Sequence, residues 1–115
     1  MPNVKINAII HEISAALENL LETGKTHIIF LGKIGLTEPE QVELLQELGE
    51  GELKISLSKL DEPVDWYESA LSGVWVGTFR NHRDEAVLRT IEVCYYPSIA
   101  ASQKEDIKET LKGLN

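Results

Sequence analysis

Cysteine is almost missing from this sequence: Cys94 stands alone among 115 residues, so no internal disulfide can staple the fold. That usage fits a reducing compartment. Long hydrophobic runs are missing too. The longest, Ile28 to Leu31, falls far short of the roughly 20 apolar residues that cross a bilayer. The opening Met-Pro-Asn-Val-Lys-Ile-Asn lacks the charged start, apolar stretch and small-residue cleavage site of a secretory signal, so the expected location is the cytoplasm. Positive charge is scarce. Eleven basic against nineteen acidic residues leave a net charge of −8, which argues against nucleic acid and disfavours anionic membranes. It leaves basic protein partners open. No repeat and no low-complexity segment is present.

What is there suffices for one domain over residues 1–115. A chain of this length buries roughly two-thirds of its unfolded surface. Ile6, Ile9, Ile10, Ile13, Leu17, Leu20 and Leu21 recur in steps of three and four, which predicts an amphipathic first helix capped by Asn3 and ended at Gly24. His27 to Leu31 reads as a short strand. Thr37-Glu38-Pro39-Glu40 is a capping box for a second helix, with Val42, Leu44, Leu45 and Leu48 on its buried side and Gly49 at its end.

The period then changes to two. Leu53, Ile55 and Leu57 alternate with polar residues, and Asp61-Glu62-Pro63 signals a turn. Strands follow over Asp65 to Ala70, Gly73 to Phe79 and Ala86 to Tyr95, the last two joined by a turn at Asn81-His82-Arg83-Asp84. After Pro97, the residues Ile99, Ile107, Leu111 and Leu114 share one face of a final helix. The expected fold is α+β, a mostly antiparallel sheet of about five strands with three helices on one face, in the order α-β-α-β-β-β-β-α.

No catalytic constellation emerges. Cys94 has no neighbouring histidine to make a thiolate, and reads as a small apolar strand residue. His11, His27 and His82 are too far apart for a short-range metal motif, so neither metal nor cofactor is expected. Gly49-Glu50-Gly51-Glu52 follows a helix and precedes a strand, the reverse of a phosphate-binding loop. The remaining candidates are surfaces for a protein partner. Glu38, Glu40, Glu43, Glu47, Glu50 and Glu52 carry six charges with no Lys or Arg between them. The helix dipole accounts for the first two, but Glu47, Glu50 and Glu52 crowd the wrong end of the helix and suggest a site for a basic segment. Trp66, Trp75 and Phe79 lie on adjacent predicted strands; with helices on one face only, part of this aromatic set is expected to be exposed. Arg80, His82, Arg83 and Arg89 make the neighbouring hairpin locally basic.

Leu48-Gly49-Glu50-Gly51-Glu52 entering a strand, then Ser72-Gly73-Val74-Trp75-Val76 and Thr90-Ile91-Glu92-Val93, resemble in order and spacing the HupH/HyaF family of nickel–iron hydrogenase maturation accessory proteins. The likeness spans nearly the whole chain and corresponds to the C-terminal part of longer members. It implies a chaperone-like helper that binds an immature hydrogenase subunit, above all the iron–sulfur small subunit, or another maturation protein. It supplies no catalytic residues. Glu92 joins the tentative binding set because it stands in a matching motif. The alternative from the residues alone is a general protein-binding module, including one that binds its own copies.

Overall fold

A computed structural model describes residues 3–58 and 62–115. The first helix, α1, runs Val4–Thr23, with the Asn3 side chain accepting from the Ile6 amide at its start. Strand β1 (His27–Phe30) leads through a 3-10 turn (Leu31–Ile34) to α2 (Glu38–Leu48). Then come β2 (Lys54–Leu57), β3 (Val64–Glu68), β4 (Val74–Arg80) and β5 (Ala86–Val93). A second 3-10 turn (Ser98–Ala100) precedes α3 (Lys104–Leu114). The α+β class and the element order are those expected. Of the Asp61-Glu62-Pro63 turn signal, Asp61 lies outside the described residues.

All strand pairings are antiparallel, and the sheet order is β1-β5-β4-β3-β2. The last strand therefore inserts between the first and β4, and β4 is the central strand. Alternation along the strands gives two faces. Ile29, Val74, Val76, Ile91 and Val93 join Ile6, Ile9, Ile13 and Leu20 of α1 and Leu44 and Leu48 of α2 in the main core. The stripe read from the sequence is largely this contact, except that Leu21 is 78% exposed. In α2 the buried position beside Leu44 and Leu48 belongs to Gln41, whose amide donates to the Leu36 carbonyl, while Val42 is left half-exposed.

The capping box at Thr37 forms in both directions: Thr37 Oγ1 accepts from the Glu40 amide and Glu40 Oε1 from the Thr37 amide. Asn3 Nδ2 donates to the other oxygen of Glu40 at 2.8 Å, tying the start of α1 to the start of α2. These donations, Asn3 first and the Thr37 amide next, hold the Glu40 carboxyl down at about 2.

Strand β3 ends at Glu68, earlier than the sequence pattern suggests, because the next amides turn elsewhere. Ser69 N donates to the Val74 carbonyl, and Ala70 N to the Leu48 carbonyl at the end of α2. Gly51 lies in the same seam. Its amide donates to the Glu68 carbonyl at 2.7 Å, and a Cβ there would stand 2.7 Å from the Ser69 carbonyl oxygen. Only glycine allows that approach.

The third helix departs from expectation. None of its residues is buried, and Ile107, Leu111 and Leu114 remain 56%, 58% and 80% exposed. Instead of packing beside α1 and α2, α3 projects from the end of a molecule 62 Å long and 25 Å thick.

Candidate functional site

Both helices on the main-core side lie over β1, β5 and β4, because those strands carry its aliphatic residues. Toward β3 the sheet emerges from under α2, and a groove of about 340 Å³ runs between them. One wall is α2, with Val42, Leu45, Gln46 and, just past its end, Gly49 and Glu50; the floor is Tyr67, Val76, Thr78 and Arg89. Val42, Leu45 and Gly49 follow steps of three and four, so α2 has a second apolar stripe beside its core stripe. Burial, with the nearby Glu50 carboxylate adding to it, raises the pKa of the Tyr67 phenol above its ordinary value.

Charge is divided across this groove. On the α2 side stand Glu50 and, just outside Gln46, Glu43, both exposed. On the sheet side stand Arg89, which pairs with Glu38 at 3.1 Å, and Lys54, the cross-strand neighbour of Tyr67. Beyond it, Arg80 pairs with Asp65 and lies 3.8 Å from Asp84, so the basic hairpin is partly neutralised by its own neighbours. Among the acidic candidates, Glu50 lines the groove, Glu47 lies on the outer face of α2 away from it, and Glu52 is exposed beyond the Gly51 seam.

The aromatic residues meet elsewhere. Trp66, Trp75 and Phe79 share the opposite face of the sheet with Val64, Cys94 and Glu92, but that face is not open. Trp66 and Trp75 are 1% and 2% exposed, and Glu92 is 7% exposed. The chain after β5 folds back across the face: Pro97 is fully buried and Ala100 packs on the cluster. The expected exposed aromatic surface is thus a second small core, roofed by the turn after Pro97. Only Phe79 keeps partial exposure, edge-on to Trp66 with ring centres 6.1 Å apart.

Within this second core a polar network crosses three strands. Trp66 Nε1 on β3 and Thr90 Oγ1 on β5 both donate to Glu92 Oε2, at 2.7 and 2.8 Å. Gly77 on the intervening β4 makes room for it, since a Cβ there would stand 2.5 Å from Thr90 Oγ1 and 2.8 Å from Glu92 Oε2. Glu92 is therefore a buried acceptor that fixes the indole, not a surface carboxylate. Beside it, a cavity of about 20 Å³ between Ile28, Cys94 and Ser98 is too small for an organic ligand. Burial first, then the Glu92 and Glu68 carboxylates, push the Cys94 thiol up to about 12. Among the described residues no three His, Cys, Asp or Glu side chains converge as metal ligands, and no helix is long and apolar enough to cross a membrane.

The Gly51 seam, the buried Trp75 and the buried cross-strand Glu92 thus lie in the three sequence motifs, one in each. Residues 4–115 match the family described as HupH hydrogenase expression protein, C-terminal conserved region. The chain belongs to this family. Over 118 aligned residues it is 27% identical to the hydrogenase expression/formation protein HupQ of Azotobacter chroococcum mcd 1, covering 99% of this chain and 41% of that protein. The chain thus spans less than half the length of this curated relative. Its fold is similar to the solved structure of hydrogenase expression protein HupH from Thiobacillus denitrificans ATCC 25259, with a TM-score of 0.90 and 29% identity over 97% of this chain and 92% of that one.

No contiguous sequence pattern encodes the groove. Tyr67, Val42 and Arg89 were each visible, and strict alternation does put Tyr67 on the face opposite Trp66. What was missing is the lateral offset of α2 over the sheet, which no local pattern encodes.

Proposed function

We propose that this domain acts in nickel–iron hydrogenase maturation by holding an immature hydrogenase subunit, the iron–sulfur small subunit, as a chaperone-like helper in the cytoplasm. Membership of a hydrogenase expression family supports the process. The observation that carries the mode of action is the groove beside α2, with Val42, Leu45, Tyr67 and Val76 as its apolar surface and Glu50 and Glu43 at its helix edge. Such a groove takes an extended or helical segment by its apolar side chains and selects one with basic neighbours. The chain's net charge of −8 reinforces that selection at long range.

Binding, not catalysis, is the action proposed. The Cys94 thiol is buried and pushed up to about 12, which keeps it neutral and unreactive at neutral pH. His27 is engaged with Glu12 at 2.6 Å on the surface, remote from the groove.

Affinity capture from a host that makes hydrogenase tests this reading. The wild-type domain is expected to bring down the small-subunit precursor, and a Glu43→Lys/Glu50→Lys variant to bring down much less. Recovery of no hydrogenase subunit, aerobically or anaerobically, would refute it. An alternative is a module that associates with its own copies, and the exposed stripe of α3 favours that as an additional property.

A further inference from the structure

Helix α3 combines two features that call for a partner. Its Ile107, Leu111 and Leu114 form one apolar stripe, and each is more than half exposed. Its charges are also sorted about that stripe. Lys104, Lys108 and Lys112, in steps of four, run along one flank, and Asp106 and Thr110 along the other. Lys108 and Lys112 lean on Glu105 and Glu109 at 3.4 and 3.6 Å, exposed pairings that leave the lysine ridge on the surface.

The groove beside α2 has the complementary pattern. Its apolar wall, Val42 and Leu45, is bordered by Glu50 and, one helix position outside Gln46, by Glu43 on the helix side, and by Lys54 and Arg89 on the sheet side. A helix laid stripe-down in this groove with its lysines toward α2 presents Asp106 to the sheet-side cations. Reversing its direction would set lysine against arginine, so the charges select one orientation. The lengths agree as well, since α2 and α3 each have 11 residues.

The same chain cannot supply both parts. The turn Ser98–Ala100 lies on the tryptophan face, opposite the groove, and only residues 101–103 separate it from α3. Those residues reach roughly 10 Å, whereas passing from the layer on one face of a sheet to the layer on the other crosses roughly 20 Å.

We infer that α3 of one copy docks in the α2 groove of a second copy, and that reciprocal exchange closes a two-fold dimer. When the exchange is reciprocal both helices and both grooves are used and the contact saturates at two chains, whereas one-way docking would propagate into longer assemblies. The dimer is a property of this chain alone and requires no hydrogenase subunit. It also covers the groove proposed to hold the client, so client and second copy compete for one surface.

Sedimentation or light scattering of the purified chain decides the matter. The expected mass is twice the 12.9 kDa of one chain, falling to a single chain on dilution. Ile107→Glu/Leu111→Glu and Val42→Glu, all at exposed positions, should each give a folded monomer, with circular dichroism verifying the fold. Lys108→Glu should weaken the dimer about tenfold, and adding Glu50→Lys should restore most of the loss. A wild-type monomer throughout the soluble range overturns the inference. So does a dimer indifferent to Val42→Glu, because the helix would then be docking elsewhere. Either result leaves the capture of a hydrogenase precursor to stand or fall on its own test.

Discussion

Trp66 and Glu92 are 26 residues apart in sequence, and the indole Nε1 of one donates to the carboxyl Oε2 of the other at 2.7 Å across Gly77. This contact locks β3, β4 and β5 in register. It also explains why a tryptophan, a glycine and a glutamate occur together in a sheet that packs on both sides. Trp75, on the same face, has a buried Nε1 with no partner among the described residues, so the network satisfies one indole and not the other.

Gly77→Ala tests the lock. The new methyl would fall within 3.0 Å of Thr90 Oγ1, Glu92 Oε2 and Trp66 Nε1 together, forcing the network apart. A loss of about 2–3 kcal/mol in urea unfolding is expected. Glu92→Ala should cost about as much by leaving the Trp66 N–H buried and unpaired, and should change the near-ultraviolet circular dichroism of the indole. Both effects are on stability, since Glu92 does not reach the groove.

Acid stability should carry the mark of Glu40. Its carboxyl falls from an ordinary 4.5 to about 2 because Asn3 and the Thr37 amide favour the ionised form. A lowered folded-state pKa contributes stability that is fully present above pH 4.5 and is lost as pH falls toward 2. Urea midpoints measured across that window should decline for the wild type and decline less steeply for Glu40→Gln. Thr37→Ala, which removes the helix cap, should cost about 1 kcal/mol at neutral pH.

Cys94 should be inert while the domain is folded. With the thiol pushed up to about 12 and the residue 4% exposed, a thiol-specific reagent at neutral pH is expected to react only on unfolding. Cys94→Ser should retain client capture. Rapid labelling of the native protein, or a serine variant that loses capture, would contradict the binding account.

The capping box at Thr37, the α1 stripe and the turn at Asn81 were legible because each is written in contiguous residues. The strand residues were legible for the same reason, although β3 stops short where Ser69 and Ala70 turn their amides toward Val74 and Leu48. Two things were not legible. Alternation told which residues share a face with Trp75, but not that Pro97 would carry the chain back over them. Periodicity gives the stripe Ile99, Ile107, Leu111 and Leu114, but Ile99 falls in the 3-10 turn before α3, and a stripe does not say whether its partner lies in the same chain. Glu47, Glu50 and Glu52 were found from like-charge crowding, a local signal. The groove Glu50 borders depends on how far α2 sits from β3, which only tertiary packing decides.

The central claim is that the groove beside α2 receives a hydrogenase subunit precursor, and a direct titration tests it. Purified small-subunit precursor, labelled and kept anaerobic, is titrated with the wild-type domain and with Glu43→Lys/Glu50→Lys. Saturable binding to the wild type, weakened about tenfold or more in the variant and weakened by added salt, is the predicted result. No saturable binding, or equal affinity for both proteins, would contradict the account.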